Sequence, residues 1–536
     1  MLSVPANIEN ARKVIRLCVK HGLKADPGIM GMLGSIPSVT TLPGFRFKLK
    51  EFQAEGVAWL ESQLGTGLLA DEQGTGKTVQ VMAYAHKNRR FPMLVVCPNT
   101  LKYNWRNEIL AMTGDLYRIN IIGKSYSKRQ LDRRAKRHPN VIYSKEPADG
   151  CDIHIINYDI LANNAERIES MGIKFMAVDE SHKIKNPDAR RTRAYTRLST
   201  GIVDEKKPGG KYESRKIGPG IPSVVLMSGT PMVNRPKELW TTVRSIGGWV
   251  PEFSTWNRFA FRYCSPENNG YGWNFGGASN TPELYRLLRE NIMLRRLKKD
   301  VLRDLPPKIY RTIPLDFDRR EYDKVEMAFN GINWKAGMET IIRMGGNAPK
   351  SDEAIVAIQK LREIAAYSKL GSAVEWIRDY TEEGEKLVVF AHNRLVIDTI
   401  RIALEEDEAY RGAVGTIYGG VKDEERADAV QAFQADPCMR VMLVGITAGG
   451  FGLTLTAARA VAFVQLPWTP GEISQCADRI HRIGQEADSV TVFNLVAEGT
   501  IEEEMADMLI SKGQVLDAVL DNGQVVNTLD LKINRA

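Results

Sequence analysis

Short runs of apolar, β-branched residues recur along this chain in two series, each run followed by turn residues and then a helical pattern. The first series is Met93-Leu-Val-Val-Cys97, Ile153-His-Ile-Ile156, Phe175-Met-Ala-Val178 and Val224-Val-Leu-Met227. The second is Leu387-Val-Val-Phe390, Val441-Met-Leu-Val444, Ala460-Val-Ala-Phe-Val464 and Val490-Thr-Val-Phe493. A strand that is apolar along its whole length is buried on both faces, which is the setting of parallel sheets covered by helices. Two such series predict two α/β lobes of similar design. Length agrees, because 536 residues exceed the roughly 250–300 that a single core organises. Between the series, about 245–310 is rich in aromatics and glycine, turns strongly basic at Arg295-Arg-Leu-Lys-Lys299 and ends in Pro306-Pro307.

A chain with 43% hydrophobic and 26% charged residues has the balance of a soluble globular protein. No apolar run approaches the about 20 residues that span a bilayer, and Met1 to Leu17 lacks a basic segment followed by an apolar one. The expectation is an intracellular protein without a membrane partner. Six cysteines are scattered without any C-x-x-C spacing, which supports neither a zinc site nor a disulfide framework. A net charge of +8 suits a polyanionic partner. The basic stretches Lys124–Arg137 and Lys206–Lys216 are either nucleic-acid contacts or solvated loops. Gly331–Ser351 reads as a flexible or inserted segment. Met505, Met508, Leu509, Leu516, Val519 and Leu520 form a helical stripe that reads as a packing face. A shorter stripe through Val14, Leu17 and Cys18 docks a partner or caps the first lobe.

Asp71-Glu-Gln-Gly-Thr-Gly-Lys-Thr78 follows the apolar stretch Gly67-Leu-Leu-Ala70 and precedes a helical pattern. This is the strand–loop–helix setting of a phosphate loop. Gly74 and Gly76 let successive N–H groups face phosphates, with the helix N-terminus adding its dipole. Lys77 then pairs with the β- and γ-phosphates of ATP, and the Thr78 hydroxyl ligates Mg2+. The first position of the strict pattern, normally glycine, is Asp71. A glycine turn with an incidental lysine is the alternative. Asp179-Glu-Ser-His182 follows an apolar strand, so both carboxylates emerge at its C-terminal end, where α/β sites lie. There Asp179 holds Mg2+ through water and Glu180 orients or deprotonates the attacking water. An acidic pair is otherwise a solvated turn. A third segment, Gln475-Cys-Ala-Asp-Arg-Ile-His-Arg482, carries Arg479 and Arg482 at a spacing suited to phosphates. It lies too far along the chain to share a nucleotide-binding domain with Lys77, so the ATP site is expected to be split between the lobes.

In this order, and with further segments, the sequence resembles the Snf2 family of superfamily 2 helicase-like ATPases. Leu49-Lys-Glu-Phe-Gln53 with Gly56-Val-Ala-Trp-Leu60 resembles the segment in which a glutamine reads adenine. Val96-Cys-Pro98 with Trp105 is similar to motif Ia, Asn157-Tyr158 to Ib, and Asp179 to His182 to the DEAH box, with Ser181 in place of alanine. Ser228-Gly-Thr-Pro231 resembles motif III, Leu387 to Asn393 motif IV, Thr447-Ala-Gly-Gly-Phe-Gly-Leu-Thr454 motif V, and Gln475 to Arg482 with Gly484-Gln485 motif VI. Phe261-Arg-Tyr-Cys264, Gly272-Trp-Asn-Phe275, Ser279-Asn280, Ile292 to Leu302, Phe390-Ala-His392 and Gly452-Leu-Thr454 resemble the annealing-helicase branch, the HARP proteins and their relatives.

The resemblance implies an α/β fold of two tandem RecA-like lobes, parallel sheets flanked by helices, with a helical, basic Snf2-type insertion between them. The implied organisation is an N-terminal extension (1–44), lobe 1 (45–245), insertion and linker (246–350), lobe 2 (351–510) and a tail (511–536). The implied activity is a DNA-dependent ATPase that translocates on duplex or branched DNA, with possible annealing or fork remodelling. A true DNA or RNA unwinding helicase, and a nucleic-acid-binding scaffold with little ATPase activity, are the alternatives. The nucleotide contacts implied are Gln53, Asp71, Glu72, Gln73, Gly74, Thr75, Gly76, Lys77, Thr78 and Gln475. Lys77, Asp179, Glu180, Arg479 and Arg482 carry the hydrolysis. Lys102, Thr447, Thr454 and Trp468 are candidate nucleic-acid contacts, Trp468 being alternatively a core residue. His182 and His481 link the ATP and DNA sites through hydrogen bonds. The implied location is the cytoplasm or nucleoid of a bacterium or its virus, or a eukaryotic nucleus.

Overall fold

The computed structural model describes residues 38–123, 138–206, 212–232, 235–268, 272–302, 305–329, 353–421, 423–449, 453–482 and 484–521. The basic stretch 124–137, the segment 331–351, the N-terminal stripe and residues 450–452 lie outside them. The chain divides into two compact units between Leu297 and Lys298.

In the first unit, eight strands form one parallel sheet in the order β12-β1-β9-β6-β2-β5-β3-β4. They are β1 (Gly67–Leu69), β2 (Met93–Cys97), β3 (Ile119–Ile122), β4 (Val141–Ser144), β5 (Ile153–Asn157), β6 (Phe175–Asp179), β9 (Val224–Met227) and β12 (Met293–Leu294). The central strands β2, β5 and β9 are buried at every position, as continuous apolar runs require. Antiparallel β7 (Ile202–Lys206) and β8 (Tyr212–Lys216) form a separate pair. The second basic stretch is therefore half strand rather than loop, with 207–211 outside the described residues. Beyond Gly247 the chain forms the helices Trp256–Tyr263 and Thr281–Asn291 and a short hairpin of β10 (Glu267–Asn268) and β11 (Trp273–Asn274). Phe253, Phe259 and Tyr263 pack ring to ring at their base.

In the second unit, six parallel strands follow the order β13-β18-β17-β14-β16-β15. They are β13 (Lys308–Leu315), β14 (Leu387–Ala391), β15 (Val414–Ile417), β16 (Val441–Gly445), β17 (Ala460–Phe463) and β18 (Val490–Ala497). The helix Ile501–Leu520 lays Met505 and Leu509 into the core, so the stripe is a packing face. That helix runs past the expected end of lobe 2 at 510, with Val519 and Leu520 still buried. A buried ion pair anchors its start: Lys369 Nζ lies 2.6 Å from Glu502 and donates to the Leu495 carbonyl at 2.5 Å. Such a pair adds little net stability, but removing one partner alone strands a charge at a cost of about 3–5 kcal/mol.

The segment expected as insertion and linker (246–350) supplies a strand to each of the two sheets. Its residues 293–294 close the edge of the first sheet as β12, and 308–315 supply the edge strand β13 of the second. Among the described residues no helix is long and apolar enough to cross a membrane.

Candidate active site

The end of β1 leads through Ala70 and Asp71 into a loop whose Gly74 and Gly76 have φ of +80° and +81°. Gly76 is also the N-cap of the helix Lys77–Lys87, and a Cβ there would lie 2.5 Å from Gln53 Nε2. Glycine is required there by both backbone and packing. The Lys77 ammonium donates to the carbonyls of Asp71 (2.7 Å) and Glu72 (3.1 Å). Thr75 Oγ1 closes the turn on the Glu72 carbonyl at 2.8 Å. Gln53, expected at adenine, uses its amide as a strut: Nε2 donates to the Thr75 carbonyl at 3.0 Å, and Oε1 accepts from Lys50 N at 3.0 Å.

Asp71 explains why the first glycine of the pattern is absent. Its carboxylate is fully buried and accepts from Arg296 N at 3.0 Å, Arg296 Nη2 at 2.5 Å and Gln80 Nε2 at 3.1 Å. Arg295 Nη1 donates to the carbonyls of Ala70 and Gly229, both at 3.0 Å. The basic run 295–299 is thus not a solvated linker. Its first two arginines brace the phosphate loop, because a buried carboxylate persists only with a cation and hydrogen bonds. Sequence reasoning missed Arg295, Arg296 and Gln80. The available signal was Asp71 itself, a charge set directly after an apolar strand.

The parallel register puts Leu69, Met227 and Asp179 in one row across β1, β9 and β6. The loop, Ser228 to Pro231 and the acidic pair therefore emerge side by side, successive strands being about 4.8 Å apart. Gly229 presses on the loop so closely that a Cβ would come within 2.9 Å of the Gln73 backbone nitrogen. Asp179 accepts from Trp105 Nε1 (2.8 Å) and Glu180 N (2.9 Å) on its two carboxylate oxygens. Tyr158 OH holds the Asp179 carbonyl at 2.5 Å. Glu180 sits in the left-handed region at φ +51°, ψ +52°, a strained conformation for a side chain other than glycine. His182 Nδ1 lies 3.4 Å from both Glu180 Oε2 and Ser228 Oγ. Burial, reinforced by Lys183, Lys185 and Arg191, holds His182 well below the ordinary histidine range.

The helix Pro470–Ala477 in the second unit begins with a reciprocal cap, Thr469 Oγ1 accepting from Glu472 N at 3.3 Å and Glu472 from Thr469 N at 3.2 Å. Past its end, Arg479 Nε donates to the Gln475 carbonyl at 2.9 Å, and Arg482 Nε to the Asp478 carbonyl at 2.9 Å. Arg482 Nη1 reaches Thr454 Oγ1 at 3.3 Å. Arg479 is 2% exposed, whereas Arg482 is partly exposed. Beneath them Asp478 accepts from Lys298 at 2.9 Å and Lys308 at 2.6 Å. Burial alone would raise the Asp478 carboxyl, but these lysines outweigh it and hold it well below the usual carboxylate range. His481 binds the Pro306 carbonyl through Nε2 at 2.8 Å, and burial lowers it to about 4. It acts as a brace inside this unit.

Of the candidate nucleic-acid contacts, Lys102 is corrected and Trp468 takes its alternative reading as a core residue. Lys102 is 5% exposed with its ammonium on the Ile122 carbonyl at 3.1 Å. Trp468 is 4% exposed in the core, with the Arg362 guanidinium 4.2 Å over its ring. A solvent-facing strand meets neither side chain. Thr447 and Thr454 are exposed.

A pH dependence follows from the histidines. His182, His392 and His481 are all depressed by burial, the last two to about 4. Below about 6.5 the unfolded chain takes up protons that the native state refuses, so stability falls as pH drops, by about 1.4 kcal/mol per pH unit per histidine. Thermal melts at pH 7 and 5.5 should show a lower Tm at the acid value. An unchanged or higher Tm contradicts the buried neutral assignment.

The family model described as SNF2-related domain matches residues 52–201 and 221–367, and that for the helicase conserved C-terminal domain matches 368–484. The DNA annealing helicase and endonuclease ZRANB3 of Mus musculus is 31% identical over 488 residues, covering 89% of this chain and 41% of that protein. The SWI/SNF-related matrix-associated actin-dependent regulator of chromatin subfamily A-like protein 1 of Xenopus laevis is 32% identical over 474 residues, covering 87% of this chain and 44% of that protein. The chain therefore spans less than half the length of these two relatives. A solved structure, the Sulfolobus solfataricus SWI2/SNF2 ATPase core in complex with dsDNA, matches at 22% identity over 92% of this chain and 100% of that chain, with a TM-score of 0.39.

Proposed function

The chain belongs to the SNF2-related family, and on that premise we propose that it is an ATP-driven translocase on duplex DNA, hydrolysing ATP to ADP and phosphate. Strand annealing or fork remodelling is the proposed use of that motion; the likeness to a mouse DNA annealing helicase supports the first of these. The observation that carries the proposal is the row of adjoining strand ends bearing the phosphate loop, Ser228 and the Asp179–Glu180 pair.

In this reading the loop amides from Gly74 to Thr78 and the Lys77 ammonium hold the β- and γ-phosphates, with Gln53 bracing the loop through the Thr75 carbonyl. Asp179 fits an Mg2+ ion held through water, since both its carboxylate oxygens are already oriented by N–H donors; Thr78, second residue of the helix that Lys77 begins, is the other residue proposed to hold it. When bound, that ion neutralises charge on the phosphates. Glu180 orients the attacking water, and neutral His182 is set to relay between Glu180 and Ser228. Arg482, the partly exposed member of the arginine pair, is the residue proposed to meet the developing phosphate charge, while Arg479, buried on the Gln475 carbonyl, shapes the segment that carries it. DNA is gripped through its backbone, as sequence-independent tracking requires, with Thr447 and Thr454 as contacts.

ATP hydrolysis measured with duplex DNA, forked DNA, single-stranded DNA and RNA tests this. Duplex or forked DNA should stimulate turnover at least about tenfold and bind less tightly as salt rises. Stimulation by RNA alone, or salt-insensitive binding, overturns the reading.

A further inference from the structure

Three of the five residues in the basic run 295–299 are committed to the two halves of the proposed ATP chemistry. Arg296 belongs to the first unit and Lys298 to the second, with Leu297 between them. Arg296 clamps Asp71 at the root of the phosphate loop with its backbone N–H, Nε and Nη2, at 3.0, 3.1 and 2.5 Å. The same guanidinium reaches Gln80 Oε1 at 2.9 Å, on the helix that Lys77 begins. Lys298 is 2% exposed and fastens the other segment at two points, the Asp478 carboxylate at 2.9 Å and the His481 carbonyl at 2.6 Å. Those two residues immediately flank Arg479-Ile480 and lead into Arg482. Neither cation faces a nucleotide. Each holds backbone beside a residue to which the proposed function gives a phosphate contact, Lys77 in the first unit and Arg482 in the second.

We propose that Arg296 and Lys298 are positioning residues for ATP hydrolysis, Arg296 setting the phosphate loop through Asp71 and Lys298 setting the arginine segment through Asp478. The proposal rests on the ATPase reading above. Its two arms differ in kind. A misplaced phosphate loop weakens ground-state binding of ATP and raises KM, whereas misplaced arginines act on charge that develops in the transition state and lower kcat. Lys298→Met should fold, because Lys308 remains 2.6 Å from the same carboxylate oxygen. Arg296→Met leaves a buried Asp71 carboxylate unpaired, so it is paired with Asp71→Asn to remove that charge.

The experiment is steady-state ATP hydrolysis by the full chain with saturating duplex DNA, with Tm recorded for each variant. Lys298→Met should lower kcat at least tenfold with KM within about threefold of wild type. Arg296→Met/Asp71→Asn should regain the Tm lost by Arg296→Met yet keep a KM raised at least tenfold. The inference is overturned if kcat and KM of both variants stay near wild type, or if activity returns with Tm in the double variant. A wild-type chain without DNA-stimulated hydrolysis instead overturns the ATPase reading and this inference with it.

Discussion

Glu180→Gln is expected to lower ATP turnover by about 10²–10⁴-fold while ATP affinity stays within a few fold. The side chain leaves the end of β6 from a left-handed backbone position, and Tyr158 on the preceding carbonyl together with Asp179 on its own N–H holds that turn. The substitution keeps the shape and the strained backbone but deletes the charge proposed to orient water. The loop carrying Lys77 belongs to a different strand end, β1, so nucleotide binding should persist. Binding of a fluorescent nucleotide and single-turnover hydrolysis, measured together, separate the two effects. Normal hydrolysis in this variant would remove Glu180 from the chemistry and with it the assignment of the acidic pair.

Arg482→Ala is expected to cost still more in the chemical step, about 10³–10⁵-fold, the range for an arginine supplied to a transferring phosphoryl group. The Arg482 guanidinium is oriented by two donations, Nε to the Asp478 carbonyl and Nη1 to Thr454 Oγ1, which reduces the ordering left to complete during reaction. Arg482→Lys should recover only a small part, because an ammonium cannot hold the carbonyl and the phosphate from one rigid plane. The measurements are steady-state hydrolysis over a range of ATP concentrations and single-turnover hydrolysis with the protein in excess, with DNA affinity as a control for folding. A loss confined to KM would mean that Arg482 binds ATP in the ground state.

Both sheets were legible in the sequence where their strands are central. The runs at β2, β5, β6, β9, β14, β16 and β17 are apolar because both faces are covered, while β18 alternates buried and partly buried positions over Val490 to Phe493. The strands that escaped are mostly edges, where the signal is physically weaker. β13 alternates between exposed and partly buried positions and contains Pro314, tolerable only where a ladder N–H is dispensable. β4 and β15 also alternate, β12 has two residues, and β3 is interrupted by the buried Asn120. In the site, the motif residues could be read because phosphate binding dictates their types and spacing. Their supports could not. Asp71 finds Arg296 across 225 positions of sequence, and Asp478 finds Lys298 across 180. Composition described those cations as a basic run, whereas packing made them internal counter-ions. Lys102 failed for the converse reason: its type suits a nucleic-acid surface, but the fold holds it inside, whereas for Trp468 the alternative of a core residue is the one that holds.

The bracing of the phosphate loop has a consequence for the energetics of a repeating cycle. Gln53, Gly229, Arg295 and the Asp71 cluster hold this loop through contacts that do not involve nucleotide. Its conformational entropy is therefore surrendered once, when the protein folds, rather than each time ATP arrives. A cradle settled in advance leaves more of the binding free energy of every ATP for whatever work the cycle performs.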